Sequence, residues 1–189
     1  MRNWTVLFIF GASGTGKSSA AYELARFYGV NVMEVDDVHQ AVKTVTTRTL
    51  YPAIHYWERG INWMDIGVDS NVNWLIDVSK EMTPALKAIA DRHLEDDLPV
   101  IMEGDFICPD LAFDTPKVKM LHIHEPDKNQ ILQNFLSREG GELQQYRVDI
   151  SIAYGDWLLG KCTEMGIPVI ESRPWDTLLD RAIERISIA

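Results

Sequence analysis

The stretch Gly-Ala-Ser-Gly-Thr-Gly-Lys-Ser, residues 11–18, follows the unbroken apolar run Val6–Phe10 and precedes a helical pattern. It matches in full the pattern G-x-x-x-x-G-K-[ST], whose glycines let backbone N–H groups point at a phosphate chain. In this pattern Lys17 reaches the β- and γ-phosphates, and the Ser18 hydroxyl ligates Mg²⁺. The N-terminus of the following helix favours the same anions. The sequence therefore predicts a nucleoside triphosphate site whose contacts are Gly11, Ala12, Ser13, Gly14, Thr15, Gly16, Lys17, Ser18 and Ser19.

Composition and charge indicate which classes of protein and which partners fit this chain. The 189 residues suit one domain, spanning 1–189, and the net charge of −10 disfavours nucleic acid as a partner. No run of eighteen apolar residues is present, which predicts no membrane span. Because the first strand begins near the start of the chain, we expect no secretory signal and a cytoplasmic protein. The two cysteines, Cys108 and Cys162, are expected to be free thiols.

Apolar runs alternate with helical patterns along the chain. Unbroken runs of this kind are typical of buried parallel strands, and strand–helix alternation indicates a sheet covered on both faces. Helix starts are predicted at Thr83-Pro84, as an N-cap followed by proline, at Asp127 with Gln130, as a capping box, and near Asp176. The predicted strands are the unbroken runs Val6–Phe10, Pro99–Met102, Val118–Ile123 and Pro168–Ile170, with a shorter and more mixed fifth at Asn31–Val35.

An aromatic-rich stretch, Tyr51–Trp74, interrupts this alternation, and we expect an inserted helical region over about residues 47–82. One hypothesis is that the insertion packs a small aromatic core of its own. The other is that it forms a substrate-binding flap in which Arg48 or Arg59 faces the acceptor. The two hypotheses are compatible.

Acidic residues follow two of the predicted strands, at the sheet edge where ligands bind in open parallel sheets. After the second strand, Asp37 with Gln40 is expected to cap a helix over Val38–Thr46. That leaves Asp36 to orient or deprotonate an acceptor hydroxyl. Glu34, on the same strand face, is a candidate near the magnesium ion.

The third strand ends in Glu103-Gly104-Asp105. These two acids either contact the acceptor and magnesium-bound water or form a solvated turn that ends the strand. The fourth strand carries His122 and His124, which we interpret as core or strand-end histidines, and His39 is expected at the surface or on a helix side.

A third candidate region lies after the helix that Asp127 opens. Gly140-Gly141 provides a joint between Arg138 and Arg147, and residues 136–148 are predicted to form a lid that carries one of these arginines to the γ-phosphate. The alternative is a solvated loop with surface arginines. After the fifth strand, Arg173 is expected to meet the adenine ring, and Trp175 is expected to pack into the core.

With these residues assembled, the chain resembles the small P-loop kinases, which include shikimate, gluconate, nucleoside-monophosphate and 2-phosphoglycerate kinase-like proteins. The resemblance is specific at residues 11–18 and extends to Val35–His39, Ile101–Asp105 and Glu171–Trp175. It implies that Asp36 faces the acceptor, Arg138 meets the transferring phosphate and Arg173 lies at the adenine. No Asp-Gly-Phe-Pro-Arg run follows the third strand, which disfavours a nucleotide acceptor.

These observations together predict a three-layer α/β P-loop fold with a five-stranded parallel sheet and a helical lid or insertion. The predicted activity is ATP- and Mg²⁺-dependent phosphotransfer to a hydroxyl of a small metabolite by a monomer or homodimer. A nucleoside or nucleotide kinase and a non-catalytic nucleotide sensor are the alternatives. The predicted catalytic residues are Lys17, Asp36 and Arg138; the acceptor residues are Asp36, Arg48, Arg59, Glu103 and Asp105; the metal ligands are Ser18 and Glu34.

Overall fold

Five parallel strands form one sheet in the order β2-β3-β1-β4-β5 in a computed structural model that describes residues 2–140 and 144–188. The strands are β1 Val6–Phe10, β2 Asn31–Glu34, β3 Val100–Gly104, β4 Val118–His124 and β5 Val169–Glu171. The α-helices are α1 Lys17–Tyr28, α2 Val35–Val45, α3 Val68–Glu95, α4 Lys128–Glu139, α5 Gln145–Met165 and α6 Leu178–Ile188. Short 3₁₀ helices cover Tyr56–Arg59, Trp63–Asp65 and Trp175–Thr177. All five strand predictions are confirmed to within two residues.

The register of the sheet brings the functional segments to one edge. Phe10, the last residue of β1, pairs with Gly104 of β3 and His122 of β4. Glu34 of β2 pairs with Glu103 of β3. The phosphate loop (residues 11–18), the first turn of α2 and the acids after β3 therefore leave the sheet side by side.

Helices cover both faces of the sheet, as the strand–helix alternation predicts. Alternate residues of β1 point to opposite faces, so Phe8 joins the core under α3 and α5, whereas Leu7 joins the core under α1 and α6. All three layers are thus apolar where they meet. The predicted α/β three-layer architecture is confirmed.

Two predicted helix starts are wrong. α3 runs without a break from Val68 to Glu95, and the Thr83 hydroxyl donates to the Ser79 carbonyl oxygen inside it rather than capping a new helix. The apolar stripe of α3 continues across Pro84, and its burial outweighs the cost of one lost hydrogen bond. Asp37 caps nothing, because α2 begins two residues earlier, at Val35.

The Asp127 cap is confirmed, but its capping box is not. The Asp127 side chain accepts a hydrogen bond from the Asn129 N–H at 2.9 Å. Gln130 donates to Asn134 at 2.8 Å instead of returning to Asp127, whose own N–H donates to Glu125 at 3.0 Å. Both cysteines are free and buried, as expected. Across the described residues, no helix has the length and apolar character that crossing a membrane requires.

Candidate active site

The phosphate loop has the backbone that its glycines predict. Gly14 and Gly16 have φ angles of 81° and 89°, in the left-handed region that other residues rarely adopt. A Cβ on Gly11 would overlap the carbonyl oxygen of Ile123. The loop therefore passes close to β4 and turns tightly into α1, which begins at Lys17.

Lys17 is buried and surrounded by acids. Its Nζ atom contacts the carboxylate of Asp105 and lies 4.0 Å from Glu103 Oε1. Burial alone would lower the pKa of Lys17, but the charges of Asp105 and Glu103 outweigh it and raise that pKa. The lysine is therefore a fixed cation at the point where the phosphate loop meets the end of β3.

The Ser18 hydroxyl and the Glu103 carboxylate meet where the phosphate loop lies beside the end of β3. The Ser18 hydroxyl donates to Glu103 Oε1 at 2.9 Å, and Glu103 is 5% exposed. Burial raises the pKa of Glu103, and the Lys17 charge opposes that rise. A hydroxyl and a carboxylate are the hard oxygen donors that Mg²⁺ accepts, and the ion takes most of its other ligands from water and phosphate. The two residues therefore fit a Mg²⁺ bound beside a triphosphate.

Glu34, the other predicted metal ligand, has a different hydrogen-bond partner. Its carboxylate accepts a hydrogen bond from the exposed Tyr22 hydroxyl on α1. In this structure it is Glu103, rather than Glu34, that contacts Ser18.

Asp36 lies in the first turn of α2 with its side chain reaching solvent. The atoms around it still desolvate its carboxyl enough to raise the pKa of Asp36, and the negative charge of Asp105 raises it further. The negative charges of Asp36, Glu103 and Asp105 all act on Lys17 and raise its pKa.

A cavity of about 440 Å³ opens beside Asp105, and we call it the aromatic cavity. The insertion supplies much of the cavity wall, and aromatic rings in this wall also pack on each other. The ring centres of Trp57 and Trp74 are 4.8 Å apart, and those of Trp74 and Phe106 are 5.8 Å apart. The hypothesis that the insertion packs aromatic rings together is thus confirmed, and the substrate-binding flap stays a prediction. The lining residues are Ser13, Trp57, Trp63, Asn71, Trp74, Leu75, Asp105, Phe106, Gln144, Arg147, Ile150, Ser151 and Tyr154.

A second cavity, of about 450 Å³, is lined by Lys17 and its neighbours in the phosphate loop, and we call it the polar cavity. Trp175 forms part of it: the residue is 39% exposed, and a Cβ on Gly16 would overlap its indole ring. The prediction that Trp175 packs into the core is therefore wrong. The lining residues are Gly14, Gly16, Lys17, Ser18, Ser19, Asn134, Ser137, Arg138 and Trp175.

The two candidate lid arginines are held by one acid, Glu139. Arg138 donates to it from Nε at 3.1 Å, and Arg147 donates from Nη1 at 2.7 Å. Hydrogen bonds from Gln144, Arg138 and Arg147 lower the pKa of Glu139 to about 2. Arg147 Nη2 is also 3.3 Å from Ser13 Oγ of the phosphate loop. Arg138 thus lines the polar cavity and Arg147 the aromatic one; residues 141–143 of the predicted lid lie outside the described residues.

The remaining predicted arginines lie elsewhere. Arg173 donates from Nε to the buried carboxylate of Glu125 at 2.7 Å and is 3.3 Å from Asp127, so acids that the prediction overlooked occupy its guanidinium. Arg59 stacks over Tyr56 at 5.2 Å and faces a separate surface groove, and Arg48 is exposed. Neither Arg48 nor Arg59 lines the aromatic cavity, and the contact of either with an acceptor stays a prediction.

The three histidines considered in the sequence analysis are all buried. His122 and His124 are buried, as predicted, and burial lowers the pKa of His122 to about 3. His39 is also buried, on the side of α2, with its ring centre 4.8 Å from that of Phe106, so the predicted helix-side position is confirmed and the surface alternative is wrong. Its imidazole fills the space between α2 and the residues after β3.

Sequence reasoning missed the part of the site that α5 contributes. Ile150, Ser151 and Tyr154 are buried in the wall of the aromatic cavity, and the Tyr154 hydroxyl donates to the Asp105 carbonyl oxygen at 3.1 Å. Their spacing along one helix face was the available indication. It does not distinguish a cavity wall from the ordinary core.

Comparison with known proteins agrees with the predicted resemblance. No protein-family profile matches the chain. It is 25% identical over 171 residues to the 2-phosphoglycerate kinase of Thermococcus kodakarensis, covering 86% of this chain and 59% of that protein. It is also 25% identical over 199 residues to the 2-phosphoglycerate kinase of Methanopyrus kandleri, covering 96% of this chain and 60% of that protein. The chain thus spans about three-fifths of the length of these relatives.

Solved structures show the same fold. A gluconokinase from Sinorhizobium meliloti superposes with a TM-score of 0.55 at 15% identity, covering 100% of this chain and 94% of that one. Shikimate kinase from Acinetobacter baumannii superposes with a TM-score of 0.52 at 13% identity, covering 98% and 93%. The chain therefore has the fold of the small P-loop kinases, as the sequence predicts.

Proposed function

We propose that this chain is a kinase that uses ATP and Mg²⁺ to phosphorylate a hydroxyl group of a small metabolite. The observation that carries the proposal is the contact between Lys17 and Asp105. Lys17 lines the polar cavity and Asp105 lines the aromatic cavity, so this contact joins a phosphate-binding site to a separate organic pocket. The sequence relatives named above, both called kinases, support the same reaction class.

The polar cavity is the proposed nucleotide site. Loop N–H groups, the N-terminus of α1 and Lys17 hold the triphosphate. The exposed indole of Trp175 and the guanidinium of Arg138, both in the cavity wall, offer a flat surface and a cation for the base and phosphates. We propose Trp175, rather than Arg173, as the adenine contact, because Arg173 is already paired with Glu125.

Ser18 and Glu103 are the proposed holders of Mg²⁺, on the fit described above. The chemistry that the bound ion supplies is neutralisation of charge on the β- and γ-phosphate oxygens. Lys17 contributes positive charge at the same place, and Arg147, 3.3 Å from Ser13 Oγ, is the better placed of the two candidate lid arginines to add more from the acceptor side.

Asp105 is the proposed acceptor-orienting carboxylate. When phosphate oxygens take over Lys17, the Asp105 carboxylate loses its partner and can accept the proton of a substrate hydroxyl. Asp36 lies in the same acidic cluster but does not line the aromatic cavity, so we give it a supporting electrostatic part. Catalysis then consists mainly of positioning and charge neutralisation, as in other phosphoryl transfers.

The test is an ADP-release screen across small hydroxyl metabolites, with 2-phosphoglycerate included because the sequence relatives carry that name. We expect ADP release that depends on one acceptor class, with the phosphorylated product identified by mass spectrometry. We also propose that the reaction takes place in the cytoplasm, where ATP is abundant. Tight ATP binding without acceptor-stimulated ADP release across the panel would instead support a nucleotide sensor.

A further inference from the structure

The wall of the aromatic cavity is unusual for a pocket that serves phosphate chemistry. Five rings line it, and they come from the insertion, from α3, from the segment after β3 and from α5. Its volume of about 440 Å³ is in the range of small-molecule sites. The rings are those of Trp57, Trp63, Trp74, Phe106 and Tyr154.

Charge is scarce in this wall. Among the described residues that line the cavity, Asp105 and Arg147 are the two charged side chains. Arg147 donates to Glu139 at 2.7 Å and lies 4.2 Å from the centre of the Phe135 ring, so its positive charge is already shared. The cavity is therefore close to neutral overall.

This charge balance disfavours a phosphorylated acceptor. A phosphate group taken out of water needs several N–H donors or more than one cation around it. The aromatic cavity offers one shared arginine and, opposite it, the carboxylate of Asp105. The faces of aromatic rings carry negative potential as well, so they repel an anion and attract the edge or face of another ring.

The few neutral polar groups are placed for specificity. Ser151 and Asn71 are both buried, at 4% and 3% exposure. Among the hydrogen bonds of the described part of the chain, Ser151 Oγ takes part in none. The Asn71 amide nitrogen donates to the Trp63 and Gly67 carbonyls at 2.8 and 2.9 Å, and no hydrogen bond within residues 2–140 and 144–188 engages its carbonyl oxygen. One or two polar substituents on a ring could bond here.

We propose that the acceptor is a hydroxyl compound with a flat, largely apolar ring and without a phosphate group. This inference rests on the proposed kinase function and specifies its substrate class. The ring lies among Trp57, Trp63 and Trp74, and the hydroxyl lies at Asp105. The hydroxyl oxygen forms a bond to the γ-phosphorus, the bond from that phosphorus to the β–γ bridging oxygen breaks, ADP leaves, and the hydroxyl proton passes to Asp105.

Two kinds of compound share this chemistry, nucleosides and non-nucleoside aromatic alcohols, and the experiment separates them. The purified chain is titrated with cytidine, adenosine, 2-phenylethanol, 4-hydroxybenzyl alcohol, glycerol 3-phosphate and 2-phosphoglycerate. Tryptophan fluorescence without ATP reports binding, and ADP release with Mg²⁺ and ATP reports transfer. We expect at least one ring compound to quench fluorescence and to be phosphorylated, and the two phosphorylated compounds to do neither.

A matched pair of variants ties the result to the cavity. Trp63 is 36% exposed, so Trp63→Ala spares the core. We expect it to raise the KM of the ring acceptor about ten-fold and to leave the KM of ATP unchanged. Phe27→Ala removes a 58% exposed ring on α1, far from the wall residues in sequence and absent from the cavity, and should change neither constant.

The outcomes separate this inference from the function on which it rests. Preferential phosphorylation of glycerol 3-phosphate or 2-phosphoglycerate overturns the inference and leaves the kinase proposal intact. Binding of ring compounds that Trp63→Ala weakens, without any phosphoryl transfer, supports the ring site and contradicts the kinase proposal. If no ring compound quenches fluorescence or is phosphorylated, the inference is wrong.

Discussion

The two cavities that the Lys17–Asp105 contact joins have nearly equal volumes, about 450 and 440 Å³, but their walls are built in opposite ways. The polar cavity draws most of its wall from one local stretch, residues 14–19, with α4 and Trp175 completing it. The aromatic cavity draws on segments spread from Ser13 to Tyr154. The wall of the polar cavity comes mainly from nearly consecutive residues, whereas the wall of the aromatic cavity is assembled from distant segments that folding brings together.

This difference indicates how such a fold can keep its phosphate-binding loop while the pocket beside it changes. The phosphate loop is fixed by backbone geometry, because Gly14 and Gly16 need positive φ angles. The aromatic cavity depends on side chains, which can be exchanged with less cost to the backbone. A relative with the same phosphate loop can therefore act on a different acceptor. The name of a relative is thus better evidence for nucleotide binding in the polar cavity than for the identity of the compound that binds in the aromatic cavity.

Removing the residue that joins the cavities should have the largest effect. Lys17→Ala takes away the cation expected to hold the β- and γ-phosphates and leaves Asp105 and Glu103 without their counterion. We expect turnover to fall about 10³-fold, the size of losing a transition-state charge contact, and ATP binding to weaken. Steady-state kinetics and calorimetry measure both. Lys43→Ala, at a surface pair with Glu58, is the matched control and should stay near the parent rate.

A second substitution tests whether the acceptor side begins at Asp105. Asp105→Asn keeps the shape of the side chain but removes the base, so kcat should fall about 10²-fold or more. ATP affinity should be unchanged or higher, because Lys17 no longer has to leave a carboxylate. Asp36→Asn should reduce kcat by less than about ten-fold, since Asp36 does not line the aromatic cavity. A deeper loss for Asp36→Asn than for Asp105→Asn would reverse the two roles.

A third prediction separates the cavities by their tryptophans. Trp175→Ala removes the indole beside Gly16 and should raise the KM of ATP about ten-fold, the size expected for one base–ring stack. The KM of the acceptor should not move. The Trp63→Ala variant described above should show the reverse pattern. Equal changes in both constants for either variant would mean that the cavities are not separate sites.

The smallest expected effect concerns the acid that holds both arginines. Glu139→Gln removes a carboxylate whose bonds to Arg138 and Arg147 are partly exposed, so the stability lost at pH 7 should be below about 1 kcal/mol. Because folding lowers the pKa of Glu139 from 4.5 to about 2, this stabilisation is complete above about pH 4.5 and is lost as the pH falls through about 2.

Urea unfolding of the Glu139→Gln variant and the parent at pH 7, 5 and 3 measures that difference. We expect it to be equal at the first two values and smaller at pH 3. Glu95→Gln, at an exposed pair with Arg92, is the control for a surface acid. A difference that grows towards pH 3 would have the wrong sign for this account.

The fold and the phosphate loop could be predicted from the sequence because both depend on short-range patterns. Four of the five strands are mainly apolar runs, and the loop is a contiguous motif. Local rules failed where packing overrode them. Burial of its apolar stripe continues α3 through Pro84. Helix α2 begins at Val35, two residues before Asp37, which the sequence predicts as its cap.

The acceptor side could be predicted only in part. Glu103 and Asp105 followed from the rule that sites lie at the carboxyl ends of parallel strands. The partners of Arg59 and Arg173, which are Tyr56 and Glu125, could not be predicted because they come from contacts that a linear pattern does not encode. Which aromatic rings face a cavity, and which face each other, is decided by the crossing of α3, α5 and the insertion.

The most direct test of the account is phosphorus NMR of the chain with Mg²⁺, ATP and the best ring-bearing acceptor from the screen. The account predicts that the γ-phosphorus resonance of ATP is replaced one for one by a phosphomonoester resonance on the acceptor. Conversion of ATP to ADP and inorganic phosphate alone, or no loss of ATP at all, would contradict transfer across the Lys17–Asp105 contact.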